Sequence, residues 1–201
     1  MSANATETEV KLYVPNLTAF EHRLQAHGAK LHTPRVYERN VRYENAEHTL
    51  TPNGIALRLR RDTRTRLTYK EDGTSQQGIT NRTELEVDVS DFWLMEAILG
   101  KLGYAPYMTY EKYRTTYQLA GAEIVLDEMP FGNFVEIESD ADTIERLIEA
   151  LGLLEAPRIT LSYTALFDLL RGELKLDFTD LTFENFEKVY VPKSTFNGLR
   201  G

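Results

Sequence analysis

Like-charged residues recur two positions apart in this sequence, and the residues between and beside them are largely apolar or aromatic. The acidic pairs are Glu7/Glu9, Glu84/Glu86 and Glu136/Glu138, and the basic pairs are Arg58/Arg60 and Lys112/Arg114. Successive side chains of a β-strand point to opposite faces, so each pair shares one face of a strand. One such pair is typical of the solvated face of an antiparallel sheet. Several acidic and basic pairs, each on a strand whose other face is largely apolar, instead indicate a barrel with a charged interior.

The composition is that of a soluble globular protein with one sizeable core. The chain has 201 residues, of which 42% are apolar and 27% are charged. Its net charge of −8 argues against nucleic acid or an anionic membrane as a partner, because both require a basic surface. The paired basic residues could still hold a small polyanion locally.

Several other classes of site and location are also disfavoured. The absence of cysteine excludes disulfides, thiolate nucleophiles and cysteine zinc sites. Residues 1–6 are short and polar, which predicts no signal peptide, and no run of about 18 apolar residues could span a bilayer. These observations predict a cytoplasmic enzyme or binding protein.

The spacing of apolar residues predicts an α+β fold with an antiparallel barrel. We predict strands at residues 7–14, 31–43, 55–61, 65–70, 82–89, 104–118, 122–128 and 133–139, and helices at 17–29, 91–102, 143–151 and 160–171. About eight strands joined by short turns suit a closed barrel with a narrow lumen, flanked by the helices. Residues 71–81 are predicted to form a mobile loop, a candidate lid. The apolar face of strand 82–89, with Leu85 and Val87, is predicted to pack against helices.

The acidic residues are candidate metal ligands. Two carboxylates at i, i+2 lie about 6.6 Å apart along a strand, so both could contact one hydrated cation or two neighbouring ones. Ligand sets made only of oxygen suit Mg²⁺ or Mn²⁺. The candidate ligands are Glu7, Glu9, Asp127, Glu136 and Glu138. Asp127 belongs to this set because the turn at 130–133 could bring it close to Glu136 and Glu138.

The basic residues are candidate phosphate ligands. Arginine presents a fixed fork to phosphate oxygens, and lysine provides a mobile point charge. The residues that could together hold a polyphosphate are Lys11, Arg58, Arg60, Lys70, Arg82, Lys112 and Arg114.

The order of these motifs resembles the CYTH superfamily, the triphosphate tunnel metalloenzymes. The similar blocks are Glu7-Thr8-Glu9-Val10-Lys11, Arg58-Leu59-Arg60, Thr68-Tyr69-Lys70, Arg82-Thr83-Glu84-Leu85-Glu86, Lys112-Tyr113-Arg114, Leu126-Asp127 and Phe134-Val135-Glu136-Ile137-Glu138, with Ser162-Tyr163 as a weaker match. The resemblance implies an eight-stranded β tunnel over residues 5–171, with a triphosphate held by the basic strands and metal on the five candidate carboxylates. Residues 172–201 lie outside it and are predicted to form an extension that packs on the body through its aromatic residues.

The resemblance also implies a set of roles and substrates. It assigns catalysis to Lys11, Arg58, Arg60 and Lys70, and substrate binding to these four together with Arg82, Glu84, Lys112 and Arg114. Our leading hypothesis is a metal-dependent hydrolase of inorganic triphosphate or a small organic triphosphate, such as thiamine triphosphate or ATP. One alternative is a class IV adenylate cyclase that makes cyclic AMP and pyrophosphate. A second is a binding protein without catalysis, and the oligomeric state is left open, with a homodimer as one option.

Overall fold

The computed structural model describes residues 6–196. Residue 5, at the predicted domain boundary, and residues 197–201 of the predicted extension lie outside this range. Within it, the strands are β1 (Thr6–Tyr13), β2 (Lys30–Asn45), β3 (Ile55–Arg61), β4 (Thr65–Glu71), β5 (Thr74–Gln76), β6 (Ile79–Val89), β7 (Tyr104–Leu119), β8 (Ala122–Met129) and β9 (Gly132–Glu138). The α-helices are α1 (Leu17–Ala26), α2 (Phe92–Lys101), α3 (Ala141–Ala150), α4 (Tyr163–Leu174) and α5 (Phe183–Phe186), and 3-10 turns span Thr51–Asn53 and Lys193–Phe196.

Eight of these strands form a closed antiparallel barrel. They are hydrogen-bonded in the order β1-β9-β8-β7-β2-β3-β4-β6, and β6 returns to pair with β1. The closing register aligns Glu7 of β1 with Arg82 of β6, and on the other side of β1 Glu9 lies opposite Glu138 of β9. The α+β barrel with flanking helices predicted from the sequence is therefore confirmed.

Alternation along each strand separates a charged interior from an apolar exterior. In β1, Val10 and Leu12 are fully buried in an outer core beneath α1 and α3, whereas Glu9 and Lys11 face inward. Two further apolar clusters lie under α4 with the C-terminal segment and under α2. Each fully buried large apolar side chain contributes about 1.5–3 kcal/mol, so the helices stabilise the barrel from outside.

The segment before α4 is hydrogen-bonded to β1 and thereby positions that helix against the barrel. The backbone NH of Tyr13 donates to Pro157 O, and that of Ile159 donates to Lys11 O, so this segment follows β1 beyond the end of its pairing with β6. Ser162 then caps α4 by accepting a hydrogen bond from the Ala165 NH. The first residue of the helix, Tyr163, thereby reaches the barrel wall.

Two local expectations differ from the structure. Residues 71–81 are not an open loop, because β5 and the start of β6 form a hairpin within them, whose turn accepts a hydrogen bond from Arg158 at Gln77 O (2.6 Å). Within residues 6–196, no helix covers the outer face of β6 either, since Leu85 and Val87 are 50% and 57% exposed. Helix α2 packs over β2 and β3 instead and leaves this face open.

The C-terminal segment contributes aromatic side chains to the core beneath α4. Phe186 and Phe196 are buried there, and Phe178 packs against the same cluster. Tyr190 is 79% exposed. The division into a domain at 5–171 and an extension at 172–201 stays a prediction. Among residues 6–196, no helix is both long enough and apolar enough to cross a membrane.

Candidate active site in the barrel lumen

The inward-facing residues of the barrel line a cavity of about 400 Å³. Its charged lining consists of Glu7, Glu9, Lys11, Arg42, Arg58, Arg60, Arg66, Lys70, Glu71, Asp72, Arg82, Glu84, Glu86, Lys112, Arg114, Glu123, Glu136, Glu138 and Asp168. Acidic and basic groups that would each be costly to bury alone are thus placed in one space, where they neutralise one another.

Three carboxylates meet at one place in this cavity. Glu7, Glu9 and Glu138 each offer an oxygen, and these oxygens all lie within 4.8 Å of one another. The i, i+2 spacing brings two of them onto one face of β1, and the pairing of β1 with β9 adds the third. A set of three carboxylate oxygens is a donor set of the kind that hard divalent cations such as Mg²⁺ and Mn²⁺ prefer.

The electrostatics of the strand β9 carboxylates support a cation at this cluster. Burial, together with the nearby Glu7, raises the pKa of Glu138 to about 8. Two residues earlier, burial would also raise the pKa of Glu136, but Arg114 and Lys11 hold it well below its usual range. Arg114 offsets the rise at Glu138 only in part, so Glu138 has less positive compensation than Glu136. The residues of the cluster fit a bound divalent cation, which would supply that charge.

We expect divalent metal binding at pH 7 to release about one proton per ion, because Glu138 must lose its proton to become a ligand. The measurement is calorimetric titration of the metal-free protein with Mn²⁺ in two buffers of different ionisation enthalpy. At pH 9, above the pKa of Glu138, the release is expected to fall towards zero. An enthalpy that does not depend on the buffer at pH 7 would contradict this expectation.

The same raised pKa predicts how the stability of the metal-free protein depends on pH. The folded state binds the Glu138 proton more tightly than the unfolded state, whose pKa is near 4.5. The stabilisation is complete below pH 4.5 and is lost as the pH rises towards 8. Melting temperatures in a chelator should therefore decline over this window, and a saturating metal should remove much of the decline.

Lys70 and Arg82 flank the acidic cluster. Lys70 Nζ lies 3.0 Å from Glu7 Oε2 and also forms an ion pair with Glu84, and Arg82 forms an ion pair with Glu9. Glu84, predicted to bind substrate, thus orients a lysine at the cavity wall. These pairs only partly balance the carboxylates, since burial still leaves the pKa of Glu7 raised.

Among the described residues, five buried cations line the same cavity. One is Arg42, and the other four form a basic wall: Lys11, Arg58, Arg60 and Lys112. Several of their carboxylate contacts are long. Arg58 lies 3.9 Å from both Glu84 and Glu86, Arg60 lies 3.7 Å from Glu38, and Lys112 lies 3.6 Å from the same glutamate. Such separations exceed hydrogen-bond length, so these groups keep capacity for a stronger acceptor such as a phosphate oxygen.

Asp127 and Glu136 contact basic residues in this structure. Both Asp127 oxygens accept hydrogen bonds from Arg114, at 2.7 and 2.6 Å, and Oδ2 also accepts one from Lys112 Nζ at 3.0 Å. Glu136 Oε2 accepts from Arg114 Nη2 at 2.6 Å. The structure thus brings three of the five predicted metal carboxylates together, and places the other two against Arg114. Asp127 is fully buried behind the cavity wall.

Tyr163 completes the surroundings of Asp127. Its hydroxyl donates to Asp127 Oδ2 at 2.9 Å, and its ring lies 4.4 Å from Lys11 Nζ and 5.5 Å from Lys112 Nζ. Burial and the adjacent Asp127 raise the pKa of the phenol well above its usual value, so it acts as a hydrogen-bond donor at neutral pH. The first residue of α4 thereby contacts both Asp127 and the two lysines of the basic wall, Lys11 and Lys112.

The sequence also matches a known family. The family model described as the CYTH domain matches residues 5–166. The chain belongs to the CYTH family. The resemblance inferred from the charged pairs is thereby confirmed, and the matched segment contains every predicted site residue of this CYTH protein.

Solved structures share the fold of this CYTH protein. A candidate adenylate cyclase from Vibrio parahaemolyticus is 20% identical, with a TM-score of 0.70 over 83% of this chain and 99% of that one. PH1819 from Pyrococcus horikoshii OT3 is 25% identical, with a TM-score of 0.68 over 82% and 99%. HpAC1 from Hippeastrum, a protein with a dominant triphosphatase activity, is 18% identical, with a TM-score of 0.58 over 83% and 96%. No curated protein matches the sequence significantly.

One predicted strand of the CYTH barrel, β2, contributes residues that were not among the predicted site residues. β2 directs Glu38, Asn40 and Arg42 inward, all buried. Glu38 contacts Arg60 and Lys112; although burial would raise the pKa of its carboxyl, these two cations lower it. The sequence contains a pattern that could have identified these residues, because they alternate with Val41 and Tyr43 at the same i, i+2 spacing. Glu38 is negative, Asn40 is neutral and Arg42 is positive, so they form no like-charged pair.

Proposed function

We propose that this CYTH protein is a divalent-metal-dependent hydrolase of inorganic triphosphate or a small organic triphosphate. The observation that carries the proposal is that five buried cations and a cluster of three carboxylates face one cavity of about 400 Å³. Cations in such numbers suit a short, highly charged anion, and the carboxylates suit the divalent cation that accompanies phosphate groups in enzymes.

Each part of the cavity has a chemical role in this proposal. Arg58, Arg60, Lys11 and Lys112 bind phosphate oxygens, and their burial strengthens those contacts by excluding water. Arg114, which Asp127 and Glu136 hold in place, is a positioned donor for the charge that develops on a transferring phosphoryl group. Glu7, Glu9 and Glu138 hold the metal. A bound Mg²⁺ or Mn²⁺ would supply Lewis-acid polarisation of a phosphoryl oxygen and lower the pKa of bound water.

The character of the cavity wall favours a small or inorganic substrate over a nucleotide. Most lining residues are charged, and the apolar ones, Ile55, Ala56 and Ala165, are few. Of the three lining tyrosines, Tyr110 and Tyr163 are buried and already bonded through their hydroxyls to Arg58 and Asp127. An adenine ring usually requires a largely apolar or aromatic surface. Adenylate cyclase activity is therefore the second candidate.

The test is incubation of the purified protein with inorganic triphosphate, thiamine triphosphate or ATP, each with Mg²⁺ or Mn²⁺, while phosphate and cyclic AMP are measured. We expect metal-dependent phosphate release, fastest with inorganic triphosphate, and no cyclic AMP. Cyclic AMP with pyrophosphate would establish the cyclase instead. Tight binding of triphosphate without any product would contradict both enzymes and support a binding protein. The cytoplasmic location stays a prediction.

A further inference from the structure

One buried arginine of the cavity, Arg42, has no carboxylate partner within residues 6–196. Every other basic side chain that lines the cavity lies within 4.0 Å of a carboxylate oxygen. Arg42 is 8% exposed and also lines the cavity. A buried charge without a counter-charge is costly, and an anionic ligand in the cavity would supply the missing negative charge.

Among the described residues, Arg42 donates hydrogen bonds only to neutral oxygens. Its Nη1 donates to Thr164 Oγ1 at 2.9 Å, and its Nη2 donates to Thr51 Oγ1 at 3.3 Å and to Ile55 O at 3.2 Å. Its buried Nε has no acceptor within residues 6–196. These contacts leave part of the donor capacity of the guanidinium unused, and phosphate oxygens accept stronger, charge-assisted hydrogen bonds than neutral oxygens do.

The neighbours of Arg42 on two sides add positive charge. Arg42 lies directly opposite Arg58 in the pairing of β2 with β3, and both side chains line the cavity. Like charges directly opposite one another on a sheet are destabilising. Thr164 is the second residue of α4, so the positive end of the dipole of that helix also lies beside the Arg42 guanidinium. An anion bound here would relieve both repulsions.

Arg42 lies towards the opposite end of the barrel from Glu138. The three pairings that connect β2 to β9, through β7 and β8, are all antiparallel, so β2 and β9 run in opposite directions. Arg42 is near the end of β2, and Glu138 is the last residue of β9. A phosphate chain with one end at the carboxylate cluster therefore extends its other end towards Arg42.

The acidic residues near this end of the cavity do not neutralise Arg42. Glu71 and Asp72 lie at the end of β4, which runs in the same direction as β2, and Asp168 lies on α4. All three line the cavity but are exposed, and none lies within 4.0 Å of Arg42. Salt screens exposed charges at longer range. These acids would favour a cationic organic group on the substrate, which is the alternative occupant.

We infer that Arg42 binds the free terminal phosphate of an inorganic phosphate chain, so that the protein selects chains that are anionic at both ends over triphosphate esters. This inference rests on the proposed function and narrows its substrate class. A free terminal phosphate has an ionisable oxygen where an ester carries its organic group. An ester would therefore place an uncharged bond, and less negative charge, against the unpaired guanidinium. Selectivity then arises from the charge that the ester lacks.

Inorganic triphosphate and methyl triphosphate are the probes, because the methyl ester removes one ionisable oxygen and adds little bulk. Calorimetry in metal-free buffer measures their dissociation constants without turnover, and steady-state kinetics with Mg²⁺ measures kcat/KM for each. Arg42→Gln removes the charge and keeps a side-chain donor, whereas Arg42→Lys keeps the charge. Arg64→Gln is the matched control, because it changes the net charge equally at an exposed arginine outside the cavity lining that pairs with Asp88.

We expect the wild type and Arg64→Gln to bind inorganic triphosphate at least about tenfold more tightly than methyl triphosphate, the effect of one charge-assisted hydrogen bond. Arg42→Gln should remove most of this preference by weakening the binding of inorganic triphosphate alone, and Arg42→Lys should keep most of it. Equal weakening of both probes in Arg42→Gln would indicate a purely structural arginine and would overturn the inference.

The wild-type comparison decides the matter even if Arg42→Gln does not fold, as judged by circular dichroism. A wild type that binds methyl triphosphate, or the cationic thiamine triphosphate, as tightly as inorganic triphosphate would overturn the inference. The proposed function is tested separately. Preferential binding of inorganic triphosphate without phosphate release would contradict the hydrolase and support the role of Arg42, whereas phosphate release without any preference would do the reverse.

Discussion

Glu138→Gln is expected to lower kcat/KM for inorganic triphosphate by at least about a hundredfold, because even residues that only support a metal ligand change activity by about 10–100-fold. Glu138 is one of the three carboxylates whose oxygens converge, and glutamine keeps its shape while removing the charge. The fold should persist, since a pKa of about 8 means that the carboxyl is mostly protonated at pH 7 in the metal-free protein. Glutamine resembles that neutral form.

The effect is measured by steady-state kinetics together with calorimetric titration of Mn²⁺, which reports the metal site without turnover. Glu149→Gln is the matched control, because Glu149 is an exposed carboxylate near the end of α3. Its kinetics and metal affinity should equal those of the wild type. Unchanged Mn²⁺ affinity in Glu138→Gln would remove this residue from the metal site, whatever the activity. Reduced affinity with undiminished turnover would count against a metal-dependent reaction.

Asp127→Asn is expected to reduce the free energy of unfolding by about 3–5 kcal/mol, the usual cost of removing one partner from a buried ion pair. Asp127 is fully buried and accepts hydrogen bonds from Arg114, Lys112 and Tyr163. The neutral amide would leave both cations short of negative charge inside the barrel. Their remaining carboxylate contacts, with Glu136 and Glu38, place the expected loss at the lower end of this range.

Urea unfolding in the presence of a chelator measures this loss apart from any metal effect. Tyr163→Phe provides a graded comparison, because it removes only a hydrogen bond to a charged group, worth about 1.5–3 kcal/mol. Added inorganic triphosphate should restore part of the stability of Asp127→Asn, since it binds the folded protein and supplies negative charge to the same cations. If Asp127→Asn is as stable as the wild type without metal, Arg114 and Lys112 do not depend on this aspartate.

Glu136 and Glu138 show what the spacing of residues within one strand can and cannot predict. Both were predicted as metal ligands because both lie on the same face of one strand. In the folded chain, Glu136 lies opposite Lys11 in the register with β1 and reaches Arg114, whereas Glu138 lies opposite Glu9. Moving from position 136 to position 138 along β9 therefore replaces a basic neighbour on β1 with an acidic one. The spacing within β9 could not reveal this difference.

The outer face of β6 shows a second limit of prediction from sequence. Alternation correctly predicted that Leu85 and Val87 turn away from the lumen, yet the expectation that helices cover them was wrong. The sequence marks a side chain as apolar but does not state which surface will cover it. The position of α2 over β2 and β3 leaves these residues uncovered within residues 6–196.

The amino-acid order by itself determined the barrel, the charged lumen and the identities of most groups that line it. Side-chain alternation is a property of a single strand, so it can be recognised without knowing where the strand lies. The tertiary structure decided which of those groups meet. Strand order and register assembled Glu7, Glu9 and Glu138, placed Asp127 against Arg114 and brought Tyr163 to the wall. Such contacts join residues far apart in the chain, and they depend on packing that no local pattern encodes.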